Sequence, residues 1–316
     1  MNPFRTILFA ADFSENAREA FSVACSLARE DKTRMYVLCV ADPDWVGEDP
    51  VHFGQSTVQF DKEGPEEHRL KLLEQKLRDE YAPDQPIDVE YHATEGEIAD
   101  KILATAHKIG ADLIAMGTHG RTGMNWLLAG SVATTVLRKS SCPVLALRSS
   151  LSMHKDDEVR VILHPTDFSE SSQAALTVAR SLARDLGSRL VILHVTPPAI
   201  LVDGSIAAEI DPSTYRAALE DLRSRLDGPD LKYPIETRLI LGSDREEILR
   251  TAEEIGCDLI VMGTHGRTAL GRLLMGSVAE SVLPRACCPV MIVKAPADVT
   301  TPHPEKSAAK KTVNIY

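Results

Sequence analysis

Several things are scarce in this 316-residue chain, and each scarcity excludes something. There are only six cysteines (Cys25, Cys39, Cys142, Cys257, Cys287 and Cys288), most of them within apolar runs or helical patterns and none in a C-x-x-C pair. That argues against a disulfide framework or a zinc knuckle and reads as small buried hydrophobes in a reducing compartment. No stretch of about 18 consecutive apolar residues occurs, so no membrane-spanning helix is expected. The opening M-N-P-F-R-T-I-L-F-A-A-D has too short an apolar run for a signal peptide, and a cytoplasmic location is expected. The chain also lacks a basic excess. Its formal net charge of −11 argues against nucleic acid or an anionic membrane surface as main partner. There is no Walker lysine and no kinase catalytic loop, so fast phosphoryl transfer is not expected. No residue is assigned a catalytic or metal-ligating role.

What is present is a duplication. M-G-T-H-G-R-T occurs at 116–122 and again at 262–268. Asp12-Phe13-Ser14-Glu15 returns as Asp167-Phe168-Ser169-Glu170, an offset of 155, while Gly96, Gly117, Ser131 and Cys142-Pro143-Val144 return at an offset of 146. The first copy thus carries nine extra residues between Val40 and Gly96. The repeat length, about 145 residues, is too long for a solenoid and fits one domain per copy. The expected division is 1–148, a polar linker at 149–158, 159–295, and a disordered tail at 296–316.

Within each copy, continuous apolar runs such as T-I-L-F-A-A (6–11) and M-Y-V-L-C-V (35–40) read as strands buried on both faces. They alternate with helical patterns: Ser14 suits an N-cap, and Gly110, Gly187 and Gly256 suit C-caps. Residues 41–65, with three prolines and little periodicity, read as a long loop or lid. Strands alternating with helices and no hairpin signals predict α/β architecture: two tandem doubly wound, Rossmann-like parallel sheets of five strands each.

In such sheets ligands collect beyond the carboxyl ends of the strands, where the winding direction switches. Asp12, Val40 and Gly117 are expected at three such ends. The segment from Gly117 through Gly120 to Gly130 and Ser131 runs from a strand through a glycine-bearing loop into a helix start, an arrangement that receives an anion on backbone N–H groups. Asp12 suits a ribose hydroxyl or adenine amino group, and the Val40 backbone suits a base edge. Gly117 and Gly120 suit the sugar and first phosphates, and Ser131 with the Val132 N–H suits the outer phosphates. Asp167, Val195, Gly263, Gly266, Gly276, Ser277 and Val278 repeat the set. His119, His265, Arg121 and Arg267 sit in the loops, and His164 and His194 end strands near the second crevice. Vicinal Cys287-Cys288 reads as core packing.

The pattern G-x2-G-x9-G-(S/T) after a strand, with Asp at the end of the first strand, is similar to that of the ATP-binding subgroup of the universal stress protein family. Gly117, Gly120, Gly130 and Ser131 match it, as do Gly263, Gly266, Gly276 and Ser277. The resemblance implies the tandem form of an adenine nucleotide alpha hydrolase-like fold, ATP with Mg2+ in each domain, and a stress-response role with slow or no hydrolysis. It also implies pairing through the last strands, 143–147 with 289–293, and a homodimer. The copies depart from each other in the 41–65 loop and where Asn125-Trp126 replaces Gly271-Arg272. Two other functions remain open. One is an ATP-hydrolysing or autophosphorylating enzyme, with Ser131 or Ser277 as the modified hydroxyl. The other is a nucleotide-free dimerisation scaffold, for which replacing Gly117 and Gly263 leaves activity untouched. An adenylating enzyme is disfavoured, because A-A-D-F-S-E and P-T-D-F-S-E lack the serine- and glycine-rich loop it needs after strand one.

Overall fold

The computed structural model describes residues 4–28, 33–41, 66–118, 130–148, 159–197, 211–264 and 275–295, with short strands at 51–53, 56–58, 199–202 and 205–209. The linker at 149–158, the tail at 296–316 and most of 41–65 lie outside them.

The first half runs β1 (Thr6–Ala11), α1 (Glu15–Ala28), β2 (Arg34–Ala41), β3 (Val51–Phe53), β4 (Ser56–Val58), α2 (Glu66–Glu80), β5 (Asp88–Glu95), α3 (Ile98–Ile109), β6 (Leu113–Gly117), α4 (Ser131–Lys139) and β7 (Val144–Leu147). The second runs β8 (Val161–Pro165), α5 (Glu170–Leu186), β9 (Arg189–Thr196), β10 (Ala199–Val202), β11 (Ser205–Glu209), α6 (Pro212–Leu226), β12 (Glu236–Leu241), α7 (Asp244–Glu254), β13 (Leu259–Gly263), α8 (Ser277–Val282) and β14 (Val290–Val293). Five strands per half form the expected parallel sheet, in the order β5-β2-β1-β6-β7 and its repeat β12-β9-β8-β13-β14. The chain winds outward from β1 through β2 to β5, then crosses back to β6 on the other side. The switch point therefore lies between β1 and β6, and between β8 and β13.

Alternation along each strand divides the core in two. Ile7, Phe9 and Ala11 face α1 and α2, whereas Leu8 and Ala10 face α3 and α4. Both faces are buried, and for that reason the strands are apolar throughout. The same two layers continue through the second half, because β7 and β14 pair antiparallel, with Val144 opposite Ile292 and Ala146 opposite Val290. Ten strands thus make one sheet. Reciprocal contacts brace this seam. Lys294 Nζ donates to Arg138 O at 2.6 Å and Ser140 O at 2.7 Å, at the carbonyl end of α4, where a cation is favoured. Arg148, its counterpart in the repeat, donates to Pro284 O past the end of α8.

The expectation of no hairpins needs correcting. β3 pairs with β4 and β10 with β11, both antiparallel, between the second strand and the second outer helix of each half. These hairpins are too short to produce a long alternating pattern. The Asp203-Gly204 pair was the available signal for the second.

A further repeated device was not read from the sequence. Asp112 Oδ2 accepts from the N–H groups of Arg5 (2.9 Å) and Thr6 (3.1 Å), tying the start of β1 to β6. Asp258 Oδ2 does the same for Arg160 (2.9 Å) and Val161 (2.8 Å). Two backbone donors on one carboxylate are charge-assisted bonds at a strand start. Asp258→Ala is expected to cost about 2 kcal/mol, read as a lower urea midpoint at unchanged slope. A midpoint within error of the parent rejects the latch.

Candidate functional site

Just past β1 the chain makes a tight turn. Asp12 Oδ1 accepts from Ser14 N (3.0 Å) and from Ser14 Oγ (2.5 Å), and Ser14 Oγ in turn accepts from Ala17 N (3.2 Å) to cap α1. One carboxylate oxygen thus shapes the turn, while Asp12, half-buried, keeps Oδ2 for other partners. In the second half Asp167 Oδ1 accepts from Ser169 N (3.0 Å), and Ser169 caps α5 through Ser172 N.

Between these residues stands the least expected feature of the crevice. Phe13 and Phe168 adopt φ of 61° and 64°, the only positive φ values outside glycine among the described residues. An L-residue there costs on the order of 1–2 kcal/mol, so the surroundings must impose it. Phe13 is fully buried beside Tyr81, with ring centroids 5.7 Å apart, and its N–H donates to Tyr81 Oη at 3.1 Å. Burial first, and then the Asp12 carboxylate, push the Tyr81 phenol far above its usual value. Phe168 instead donates to Thr166 Oγ1 at 3.1 Å and packs on His194 and Tyr215, with centroids 4.9 Å and 6.3 Å away. Nothing in hydropathy or spacing signals a left-handed phenylalanine; the turn repeated in both copies was the only hint.

The Val40 and Val195 positions follow from strand lengths. β2 pairs with β1 only as far as Cys39 opposite Ala11, yet it runs on beside β5 to Ala41. Ala41 O accepts from Gly96 N at 3.0 Å on the β5 side. Neighbouring residues of a strand turn their backbone groups to opposite sides. Those of Val40 therefore face the notch above the end of β1. In the second half β9 outruns β8 in the same way, Thr196 O accepts from Gly242 N at 3.0 Å, and Val195 faces the matching notch.

Across the switch point, β6 ends at Gly117 and the loop leaves through buried Thr118, whose N–H donates to Leu147 O at 2.7 Å. It returns at Gly130, whose N–H donates to Thr118 O at 2.8 Å. Thr264 and Gly276 repeat this clamp at 3.1 Å and 2.7 Å. Gly120, Gly266, His119, His265, Arg121 and Arg267 lie outside the described residues. Gly130 and Gly276 cap α4 and α8 with no side-chain bond, and exposed Ser131 and Ser277 open the two helices. Val132 and Val278 follow, half-buried. The first turn of α4 carries no acidic residue, whereas α8 carries Glu280, which leans across the seam to Arg138 at 3.5 Å. An anion therefore meets less opposing charge at α4.

Gly117 and Gly263 answer to packing as well. A Cβ on Gly117 meets Asn16 Cβ at 3.1 Å, and one on Gly263 meets the Ser171 backbone at 2.8 Å. Close approach of the first helix is reason enough for glycine here, so replacing these residues perturbs the fold and cannot isolate a ligand effect. The strand-end histidines also differ from expectation. His164 is fully buried in the core, with Nδ1–H donating to Val261 O at 2.8 Å. It lines no crevice. His194 Nδ1–H donates to Thr166 O at 2.6 Å, and the ring packs 4.5 Å from that of Tyr215 beside the Asp167 turn.

Among the described residues no group of three or more His, Cys, Asp or Glu is placed to hold a metal ion, and no helix is long and apolar enough to cross a membrane.

The sequence matches the family model described as the universal stress protein family twice, over residues 3–148 and 158–294. A universal stress protein of Mycolicibacterium smegmatis is 27% identical over 287 residues, spanning 88% of this chain and 90% of its own. One from Methanocaldococcus jannaschii is 28% identical over 151 residues, 42% of this chain and 93% of its own. Among solved structures, a universal stress protein from Archaeoglobus fulgidus superposes with a TM-score of 0.64 at 21% identity, covering 94% of this chain and 98% of that one.

Proposed function

Because the chain belongs to the universal stress protein family, we propose that each half binds one adenine nucleotide, ATP in the first instance, and that the protein acts as a nucleotide-responsive stress or signalling component with slow or no hydrolysis. The observation that carries this reading is the coincidence, in both halves, of three features around one switch point. These are a carboxylate turn, an overhanging strand edge and a helix start without a side-chain cap. Asp12 Oδ2 takes a ribose hydroxyl or the adenine amino group, and the Val40 edge meets the base. Gly117, Gly120 and Gly130 let the backbone approach the sugar and phosphates, and Ser131 with the Val132 N–H receives the outer phosphates. Asp167, Val195, Gly263, Gly266, Gly276, Ser277 and Val278 repeat these roles. Mg2+ arrives on the phosphates. The seam between β7 and β14 occupies the edges of the last strands, so a homodimer forms through another surface. We further propose a cytoplasmic protein with domains at 1–148 and 159–295.

The test is to denature freshly purified protein and identify what is released by chromatography and mass spectrometry. The expected yield is close to two adenine nucleotides per chain. Asp12→Asn and Asp167→Asn, which keep the acceptor that shapes each turn, are each expected to remove about one. No nucleotide released, and no thermal shift with Mg-ATP, would leave the scaffold function in its place.

A further inference from the structure

At the opposite end of the second half, away from the nucleotide crevice, three thiols meet. Cys257 leads into β13, and Cys287 and Cys288 lead into β14. The two strands pair in parallel from Ile260 opposite Val290, with Ile260 N donating to Pro289 O at 3.0 Å, so their entries lie side by side. Cys287 and Cys288 are adjacent in the chain, and the paired strand entries bring Cys257 beside them. Cys257 Sγ is anchored by Leu259 O at 3.2 Å and Val161 O at 3.7 Å. Cys257 and Cys288 are buried and Cys287 is half-buried; all three are free thiols.

The first half offers an internal comparison. Its counterparts are Ala111, Ser141 and Cys142, leaving one thiol where the second half has three. Cys142 has Ser140 Oγ beside its sulfur, at 3.5 Å, and burial raises its pKa. Cys287 behaves oppositely. The hydrogen bond from Cys288 lowers its thiol to about 7, against the opposing effects of burial and of Glu253. Cys288 is pushed well up and stays protonated. Three free thiols at one strand junction, one of them half-buried and so within reach of a small solute, exceed what core packing asks of three small residues.

We propose that Cys287, Cys288 and Cys257 form a peroxide-responsive thiol relay. The Cys287 thiolate attacks one oxygen of a small hydroperoxide. The O–O bond breaks, hydroxide leaves and takes a proton to become water (for an organic hydroperoxide, an alcohol), and sulfur, having given up two electrons, becomes a sulfenic acid. The Cys288 sulfur then attacks Cys287 Sγ. The S–S bond forms, the S–O bond breaks, and the departing hydroxide carries away the Cys288 proton as a second water. A disulfide between adjacent residues strains the peptide between them. Cys257, losing its proton to solvent, therefore attacks Cys288 Sγ, and Cys287 leaves as thiolate. The net change is two thiols and one peroxide to one disulfide and two waters, with the Cys257–Cys288 disulfide as product.

The test treats the full chain with equimolar hydrogen peroxide at pH 7, alkylates it and maps peptides by mass spectrometry. The expected result in the unmutated protein is a Cys257–Cys288 disulfide with Cys287 and Cys142 alkylated. With the sulfenic-acid probe dimedone present from the start, label is expected on Cys287 and at least about tenfold less on Cys142, as their thiolate fractions require. Cys287→Ser is expected to slow disulfide formation by about tenfold or more, and Cys257→Ser to stop the reaction at the Cys287–Cys288 disulfide. Equal labelling of Cys142 and Cys287, or no Cys257–Cys288 disulfide in the unmutated chain, overturns the relay. Because these two readouts need no substitution, a variant that misfolds cannot obscure the outcome. Nor do they depend on whether nucleotide is bound.

Discussion

Gly263→Ala is expected to destabilise the protein by about 3 kcal/mol, whereas the same change at Gly117 costs about 1 kcal/mol. The two glycines occupy the same letter of the same seven-residue motif, so sequence offers no reason for a difference. The neighbours supply one. At Gly263 a Cβ comes 2.6 Å from Ser171 Oγ, 2.8 Å from its carbonyl carbon and 2.9 Å from its oxygen. A side-chain oxygen can rotate away, but the backbone of α5 cannot move without carrying the helix off β8 and β13. At Gly117 the nearest atoms are Asn16 Cβ at 3.1 Å and the Ala17 nitrogen at 3.4 Å, which a shift of a few tenths of an ångström accommodates. Urea unfolding of both variants measures this. Equal losses at the two glycines would show that α5 is free to move and that the packing argument is wrong.

The second large effect is one of pH. Full burial, outweighing the hydrogen bond to Val261 O and the Asp167 carboxylate, lowers His164 from 6.5 to about 4. Between those values the unfolded chain holds a proton on this imidazole that the folded chain does not. Stability therefore rises with pH through this window. The contribution is complete above 6.5 and is lost as pH falls towards 4, about 3 kcal/mol in all. The repeat supplies the control. The counterpart of His164 is Phe9, and that of Ser172, whose Oγ lies 3.4 Å from His164 Nε2, is Ala17. The double variant His164→Phe with Ser172→Ala transplants that apolar pair. Its stability is expected to fall by about 3 kcal/mol less than that of the parent between pH 7 and pH 4. Parallel stability curves would show that His164 is protonated in the folded state.

The same comparison of halves bears on the crevices. Cys39 in the first becomes His194 in the second, and Arg69, paired to Glu95 at 2.8 Å, becomes Tyr215. The second crevice thus has an aromatic flank of Phe168, His194 and Tyr215 where the first has Phe13 against Tyr81 with Lys76 Nζ 4.9 Å over its ring. The sites share their Asp-Phe-Ser turn and differ in what stands behind it.

The sequence alone determined the duplication and the parallel α/β class of each half. Both rest on signals carried within each copy: repeated motifs at a fixed offset, continuous apolar runs that mark strands buried on both faces, and 3.6-residue periodicity that marks the helices between them. That Asp12, Val40 and Gly117 lie at strand ends was legible, because continuous apolar runs mark where each strand stops. Tertiary structure decided the matters that depend on residues far apart in sequence. The buried Phe13 N–H is satisfied by Tyr81 from another element, and Gly263 is confined because α5 lies across β13. His164 is neutral because the core around Val261 excludes water. The two sheets are one because β7 and β14 leave complementary edges that pair within the chain. In each case the energy belongs to a contact between segments, and composition or period records only the segments.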